Sequence, residues 1–367
     1  MTDIIVVGGG IMGLLTARDL ARAGRQVLLI EKGQPGAGTT WASAGIVSPH
    51  GSSGSADIAG EPGLRLRHSS FGMWQGLAEA VREESGMDLE YRLTGLLLLA
   101  MNRKEASEIQ EKAKTRQWGD TKWLEPENLR SEEPALATGL AGALFVQGGN
   151  VETRRVGPAL EIACRRLGVE IRTGEIVKEL VTGENKVRGV RTGSGEFFAP
   201  TVVICAGIGS RGVIGARPIP PIVPQRGQVV ALDARGFTLR HTVLRITDPY
   251  FVPRVDGRLI IGATREFAGE DPRLTAGGLG WLLTSAIETI PALESAPILE
   301  TWTGFRPLCS DHLPMIGAGE PQGVYFCTGH GPTGITPAPI SAALVTSLII
   351  GTKPTIDPAP YDPMRFA

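Results

Sequence analysis

Cysteine is scarce: Cys164, Cys205, Cys309 and Cys327 are the only four in 367 residues, widely spaced and with no Cys-x-x-Cys pair. That pattern excludes a zinc site or a disulfide framework, so no metal is expected and the thiols read as small buried side chains in a reducing compartment. Net charge is lacking too, at -1 with 37 Lys+Arg against 38 Asp+Glu, so nothing basic marks a nucleic-acid partner. Long apolar runs are missing as well. The stretches at 96–101 and 345–350 fall far short of the ~20 residues needed to cross a bilayer. Met1-Thr2-Asp3 carries no basic stretch. Neither an integral membrane segment nor a signal peptide is therefore expected, and a cytoplasmic protein is. A homo-oligomer is left open.

What the chain does contain is enough apolar material for two interlocking domains, with 42% hydrophobic and 20% charged residues. Gly 49 and Pro 26 suit many tight turns between short strands and helices, hence a mixed α and β fold. Ile4-Ile5-Val6-Val7 reads as a fully buried strand, residues 11–23 as a helix with apolar positions at Leu14, Leu15, Ala17, Leu20 and Ala21, and Val27-Leu28-Leu29-Ile30 as a second strand. This is one βαβ unit of a parallel sheet. The composition of His50 to Gly63 predicts a mobile loop, and residues 78–91 and 104–118 read as helices. A helix at 159–167, strands at 169–171 and 201–207, and a last strand at 324–329 followed by a helix at 338–350 bring further elements to the same domain. Segments such as 228–232, 250–253 and 259–261 alternate as an antiparallel sheet does. The expected organisation is a discontinuous dinucleotide domain over 1–80, 147–217 and 318–367, with a substrate domain over 81–146 and 218–317.

Gly8-Gly9-Gly10-Ile11-Met12-Gly13 satisfies G-x-G-x-x-G between a predicted strand and a predicted helix. Gly8 permits the tight turn, Gly10 lets the backbone approach a pyrophosphate at the helix N-terminus, and Gly13 lets the helix close on the strand. Glu31 ends the second strand, where a carboxylate accepts hydrogen bonds from a ribose diol and disfavours a 2′-phosphate; Lys32 follows it. These features point to an adenine dinucleotide and do not separate FAD from NAD.

Later segments carry a resemblance that does. Gly38-Thr39-Thr40-Trp41-Ala42-Ser43-Ala44-Gly45-Ile46, Tyr250-Phe251-Val252-Pro253-Arg254 leading to Gly262-Ala263-Thr264, Gly304-Phe305-Arg306-Pro307 leading to Pro314-Met315-Ile316-Gly317, and Gly329-His330 leading to Gly334-Ile335 resemble, in order and spacing, the D-amino-acid oxidase superfamily. Within it the chain is most similar to the glycine oxidases of thiamin biosynthesis. The resemblance implies a Rossmann-type FAD domain (α/β) with an interleaved α+β substrate domain built on an antiparallel sheet. It implies FAD contacts from Thr39, Thr40, Ser43, Ala44, Gly45 and Ile46, from Ile176 at the adenine, from Ala206 and Gly207, and from the turn His330, Gly331, Pro332, Thr333, Gly334, Ile335 and Thr336 at the flavin ring.

The resemblance further implies that Arg306 and Tyr250 bind a substrate carboxylate and that the α-carbon gives a hydride to the flavin. The imine product is then hydrolysed, and oxygen or another electron acceptor reoxidises the cofactor. The substrate is expected to be a small amino acid or amine: glycine, sarcosine or a D-amino acid, with a proline- or hydroxyproline-type dehydrogenase as the alternative. FAD is expected to be non-covalent, because Cys309, just before Asp311, does not match the attachment position of the sarcosine oxidases. His330 is expected to pack or hydrogen-bond rather than act as a base. This chain departs from the glycine oxidase pattern at pocket positions Ile46, Asp248, Arg265 and Pro332, and Arg265 is read as a cation that could favour an acidic substrate.

Overall fold

The computed structural model describes residues 1–50, 60–115 and 121–367. Its first sheet has six strands, in spatial order Met315–Ala318, Val324–Thr328, Thr201–Ile204, Ile4–Val7, Val27–Glu31 and Glu170–Thr173. The last five run parallel to one another, and Met315–Ala318 closes the edge antiparallel. Alternation along Ile4–Val7 explains its continuous apolar run, since a parallel strand is covered on both faces. Ile4 and Val6 face the helices Ile11–Arg22, Thr153–Arg166 and Ala338–Ile350 through Leu14, Leu160 and Leu344. Ile5 and Val7 face a three-stranded antiparallel sheet, Glu179–Gly183, Lys186–Arg191 and Glu196–Phe198, through Leu180, Val187 and Val190.

The second sheet has eight strands, in order Ile298–Cys309, Ile222–Asp233, Arg258–Gly262, Tyr250–Pro253, Thr242–Arg245, Leu96–Ala100, Gly142–Val146 and Lys122–Leu124. One face packs Val230, Phe251 and Ile261 on Leu282 and Ala286 of helix Ala276–Thr289. The other turns Val229, Val252, Ile260 and Trp302 toward Ala42 and Ala44. Period-two alternation therefore places Tyr250 on the face opposite Phe251, beside the segment that follows the first βαβ unit.

Four element boundaries differ from those read in the sequence. The helix expected at 78–91 is Trp74–Ser85, ended by Gly86 in the left-handed region at φ 78, which donates its N–H to Arg82 O. The helix expected at 159–167 begins earlier, as Thr153–Arg166; Glu152 caps it by accepting from Arg154 N, and burial of Val156, Ala159 and Leu160 carries Pro158 inside. Of the loop expected from His50 to Gly63, residues 51–59 lie outside the described residues. Its last part is helical within Gly60–Phe71, where Pro62 sits in the first turn and its missing N–H costs nothing. The helix expected at 104–118 is Arg103–Thr115, and its final residues also lie outside the described ones. Among the described residues, no helix is long and apolar enough to cross a membrane.

Candidate active site

A cavity of about 510 Å³ opens between the two sheets, lined by residues from Val7 to Thr336, a size ordinary for a small-molecule or cofactor site. At one end lies the N-terminus of helix Ile11–Arg22. Gly8 turns the chain with φ 102, and a Cβ on Gly13 would lie 1.8 Å from Gly8 O, so only glycine lets the helix close on the strand. A Cβ on Gly10 would meet nothing nearer than Thr40 Oγ1 at 3.5 Å, so the space ahead of the helix is open. Thr40 Oγ1 accepts from Ile11 N at 3.0 Å. Glu31 is oriented by its own strand end: its carboxylate accepts from Gly9 N at 2.5 Å and from Gly33 N at 2.8 Å. Ile176, 56% exposed, lies at the mouth.

The segment 38–46 lines the cavity, tied to the second sheet and to helix Thr153–Arg166. Thr39 Oγ1 donates to Phe305 O at 2.7 Å, and Thr153 Oγ1 donates to Ser43 O at 2.7 Å. Trp302 Nε1 donates to Ala42 O at 3.1 Å, while the Arg154 guanidinium sits 4.0 Å over the Trp41 ring and 4.7 Å over that of Trp302. Arg254 is the deepest anchor. It donates to Ala44 O, Val151 O and Asn150 Oδ1 at 2.9, 2.9 and 3.0 Å, with Glu152 at 3.4 Å from its Nε. Burial pulls its pKa down, a pull the Glu152 carboxylate opposes. Sequence reading quoted Arg254 only as the end of a motif; the signal available was an arginine directly after an apolar strand. On the far side, Thr336 Oγ1 donates to Ile46 O and accepts from Ser48 N, at 3.3 and 3.1 Å.

Arg306 and Tyr250 meet at the other end. The Arg306 guanidinium donates to Thr264 O at 3.0 Å and, at longer range, to Arg226 O and Gln225 Oε1 at 3.4 and 3.5 Å. No carboxylate pairs with it among the described residues. Burial lowers its pKa, while Tyr250 beside it works the other way. Burial likewise pushes the Tyr250 phenol up, which keeps it a neutral hydrogen-bond donor. Arg226, which sequence reading passed over, is buried and ion-paired with Glu266, and it donates to Asp271 O and Arg273 O at 3.0 Å each. It thereby fixes the loop that carries Thr264 and Arg265; in the sequence it stands in a polar stretch, Gln225-Arg226-Gly227-Gln228, that gives no signal of this role.

The structure places Arg265 in an ion pair. Arg265, read as a cation that could draw an acidic substrate, donates from Nε to Asp248 Oδ2 at 2.5 Å and from Nη2 to Oδ1 at 3.4 Å. The two departures noticed separately in the sequence form one ion pair. His330 Nε2 lies 3.0 Å from Ser341 Oγ, and burial lowers its pKa to about 3, so the ring is neutral. Cys309 is buried, burial raises its thiol to about 11, and it does not line the cavity.

Every site residue read from the sequence lines this cavity except Gly13, which stands behind it as packing. The open glycine turn at a helix N-terminus suits a pyrophosphate and the immobilised carboxylate suits a ribose, so the residues present fit the adenosine diphosphate half of FAD. A family model described as FAD dependent oxidoreductase matches residues 3–348. The chain is 33% identical over 366 residues to a glycine oxidase of Pseudomonas putida, covering 98% of each chain. Among solved structures, glycine oxidase from Bacillus cereus superposes with a TM-score of 0.88 at 28% identity, covering 96% of this chain and 95% of that one. An L-proline dehydrogenase from P. horikoshii superposes at 0.87 and 25% identity, covering 100% and 97%.

Proposed function

Since the chain belongs to the FAD-dependent oxidoreductase family and has FAD as its cofactor, we propose that it oxidatively deaminates a small amino acid or N-methyl amino acid such as glycine, sarcosine or a D-amino acid. The observation that carries this reading is Arg306: a half-buried arginine facing the cavity with no carboxylate partner among the described residues. An unpaired cation withdrawn from water is costly, and a substrate carboxylate relieves that cost. The names of the relatives, glycine oxidases, support the same substrate class.

Bound FAD supplies the two-electron acceptor for a hydride from the substrate α-carbon. The protein's part is positioning. Arg306 grips the carboxylate through its planar fork, and the neutral Tyr250 hydroxyl donates to the same group. Ile46 and Pro332 border the remaining space and limit the side chain to a small one. Water excluded during the transfer is admitted afterwards, when the imine is hydrolysed to the oxo acid and an amine. Glu31, the glycine turn and segment 38–46 would hold FAD without a covalent bond, and with oxygen as its electron acceptor the second product would be hydrogen peroxide.

An anaerobic titration of the yellow protein with glycine, sarcosine, D-alanine, D-proline and hydroxyproline tests the reading. Bleaching by one of them identifies the substrate, and bleaching by none of them refutes it. A second reading is favoured by the likeness to the P. horikoshii L-proline dehydrogenase: an imino-acid dehydrogenase that passes electrons to a quinone or other carrier. Admitting air separates the two, because an oxidase regains its colour quickly and a dehydrogenase does not.

A further inference from the structure

We propose that Asp248, held on Arg265, makes the substrate pocket reject a second carboxylate and so restricts the enzyme to monocarboxylic amino acids with a small uncharged substituent. The inference rests on the reading of Arg306 as the carboxylate anchor.

Among the described residues, the charges acting on Tyr250 are those of Arg306, Asp248, Arg265 and Arg254; Arg254 is balanced by Glu152, so the three that line the cavity are counted. All three charges are close enough to act on one another: Arg306 feels Arg265 as a like charge and Asp248 as an opposite one. Their sum is one positive charge. A monocarboxylate with a neutral amine brings that sum to zero. A dicarboxylate overshoots it and leaves a net negative charge in a buried volume, which is unfavourable.

Position reinforces the count. Arg265 would be the natural partner of a second carboxylate, but Asp248 already takes Nε and Nη2, at 2.5 and 3.4 Å. Asp248 is buried, and its backbone is fixed in the left-handed region at φ 65. It is therefore a tethered competitor present at high effective concentration, and an incoming carboxylate must displace it while being repelled by it. The loop behind Arg265 offers no easy retreat. Glu266 accepts from Arg226, from Gln228 Nε2 at 2.7 Å and from Thr264 Oγ1 at 2.5 Å, and Gln228 also bonds Thr275 at 2.9 Å. The pair thus acts as a fixed wall, and selectivity arises from a repulsive element set beside an attractive one.

Two measurements on the FAD-loaded enzyme test this. The first follows the flavin spectrum as acetate or malonate is added, which reads binding without turnover. Wild type is expected to bind acetate more tightly than malonate. Asp248→Asn is expected to raise malonate affinity relative to acetate by about ten-fold or more, and Arg265→Met to move the ratio the other way. The second compares kcat/KM for D-aspartate against D-alanine and for iminodiacetate against glycine, with the same directions expected. An unchanged ratio in Asp248→Asn overturns the proposal. Malonate binding wild type as tightly as acetate also overturns it, and this comparison stands even if the variant loses its flavin. If neither acid perturbs the flavin, the Arg306 anchor falls and this inference falls with it. If acetate binds but the ratios do not move, only the role of Asp248 is lost.

Discussion

Arg306 lies flat against Gly227: a Cβ at residue 227 would stand 2.7 Å from Nη2 and 2.9 Å from Nη1 of the guanidinium. The two residues sit on neighbouring antiparallel strands, in which Gln225 is paired with Arg306 and Gly227 with Gly304. The absence of one side chain therefore sets the height of another above the sheet. Gly227→Ala is expected to push the guanidinium off its seat on Thr264 O and raise KM about ten-fold or more, while FAD remains bound. Arg306→Ala removes the cation altogether and is expected to cost about 2–5 kcal/mol in kcat/KM. Steady-state kinetics on the substrate identified by anaerobic bleaching checks both. A Gly227→Ala enzyme with wild-type KM would show that Arg306 does not depend on this contact.

Glu31 gives a second expectation at the opposite end of the cavity. Its carboxylate holds Gly9 N and Gly33 N, so Glu31→Gln keeps the shape but loses the charge-assisted bonds to those amides and to a ribose diol. FAD affinity is expected to fall by about 1–3 kcal/mol. Reconstitution of apoprotein, followed by flavin fluorescence, measures it; unchanged affinity would remove Glu31 from the cofactor site.

His330 predicts an acid-sensitive stability. Its folded pKa of about 3 lies below the ordinary 6.5 because burial disfavours the charged ring. Between those values the unfolded chain binds a proton that the folded chain refuses, so stability is complete above about pH 6.5 and falls as the pH drops toward 3. Replacing His330 with Asn is expected to flatten that fall by up to about 1.4 kcal/mol per pH unit. Urea midpoints at pH 4, 5 and 6 for both proteins test it, and parallel pH dependences would assign the acid sensitivity elsewhere.

The nucleotide end was legible in the sequence because its signals are local. The strand Ile4–Val7, the glycines and Glu31 fall within one short stretch, and backbone geometry follows directly from glycine spacing. The substrate end was less so. Tyr250 and Arg306 could be placed through motif likeness, but the Asp248–Arg265 pair depends on the register of the hairpin whose strands pair Tyr250 with Gly262, and register is not written in the residue spacing. Arg254 and Arg226 escaped for a related reason: their partners are backbone carbonyls supplied by segments far along the chain. Helix limits differed where local composition did not decide, as at Pro158 inside a helix and at Gly60, Pro62 and Gly63 in a first turn.

The first sheet draws its strands from near both ends of the chain, and the turn from Gly329 to Thr336 lines the same cavity as Gly8 and Gly10. During synthesis on the ribosome, Gly8 and Gly10 are made long before the turn that forms the facing wall of the cavity. The pocket cannot close until translation has passed Thr336. A chain truncated shortly before that turn would therefore keep Gly8 and Gly10 while lacking one wall of the cavity.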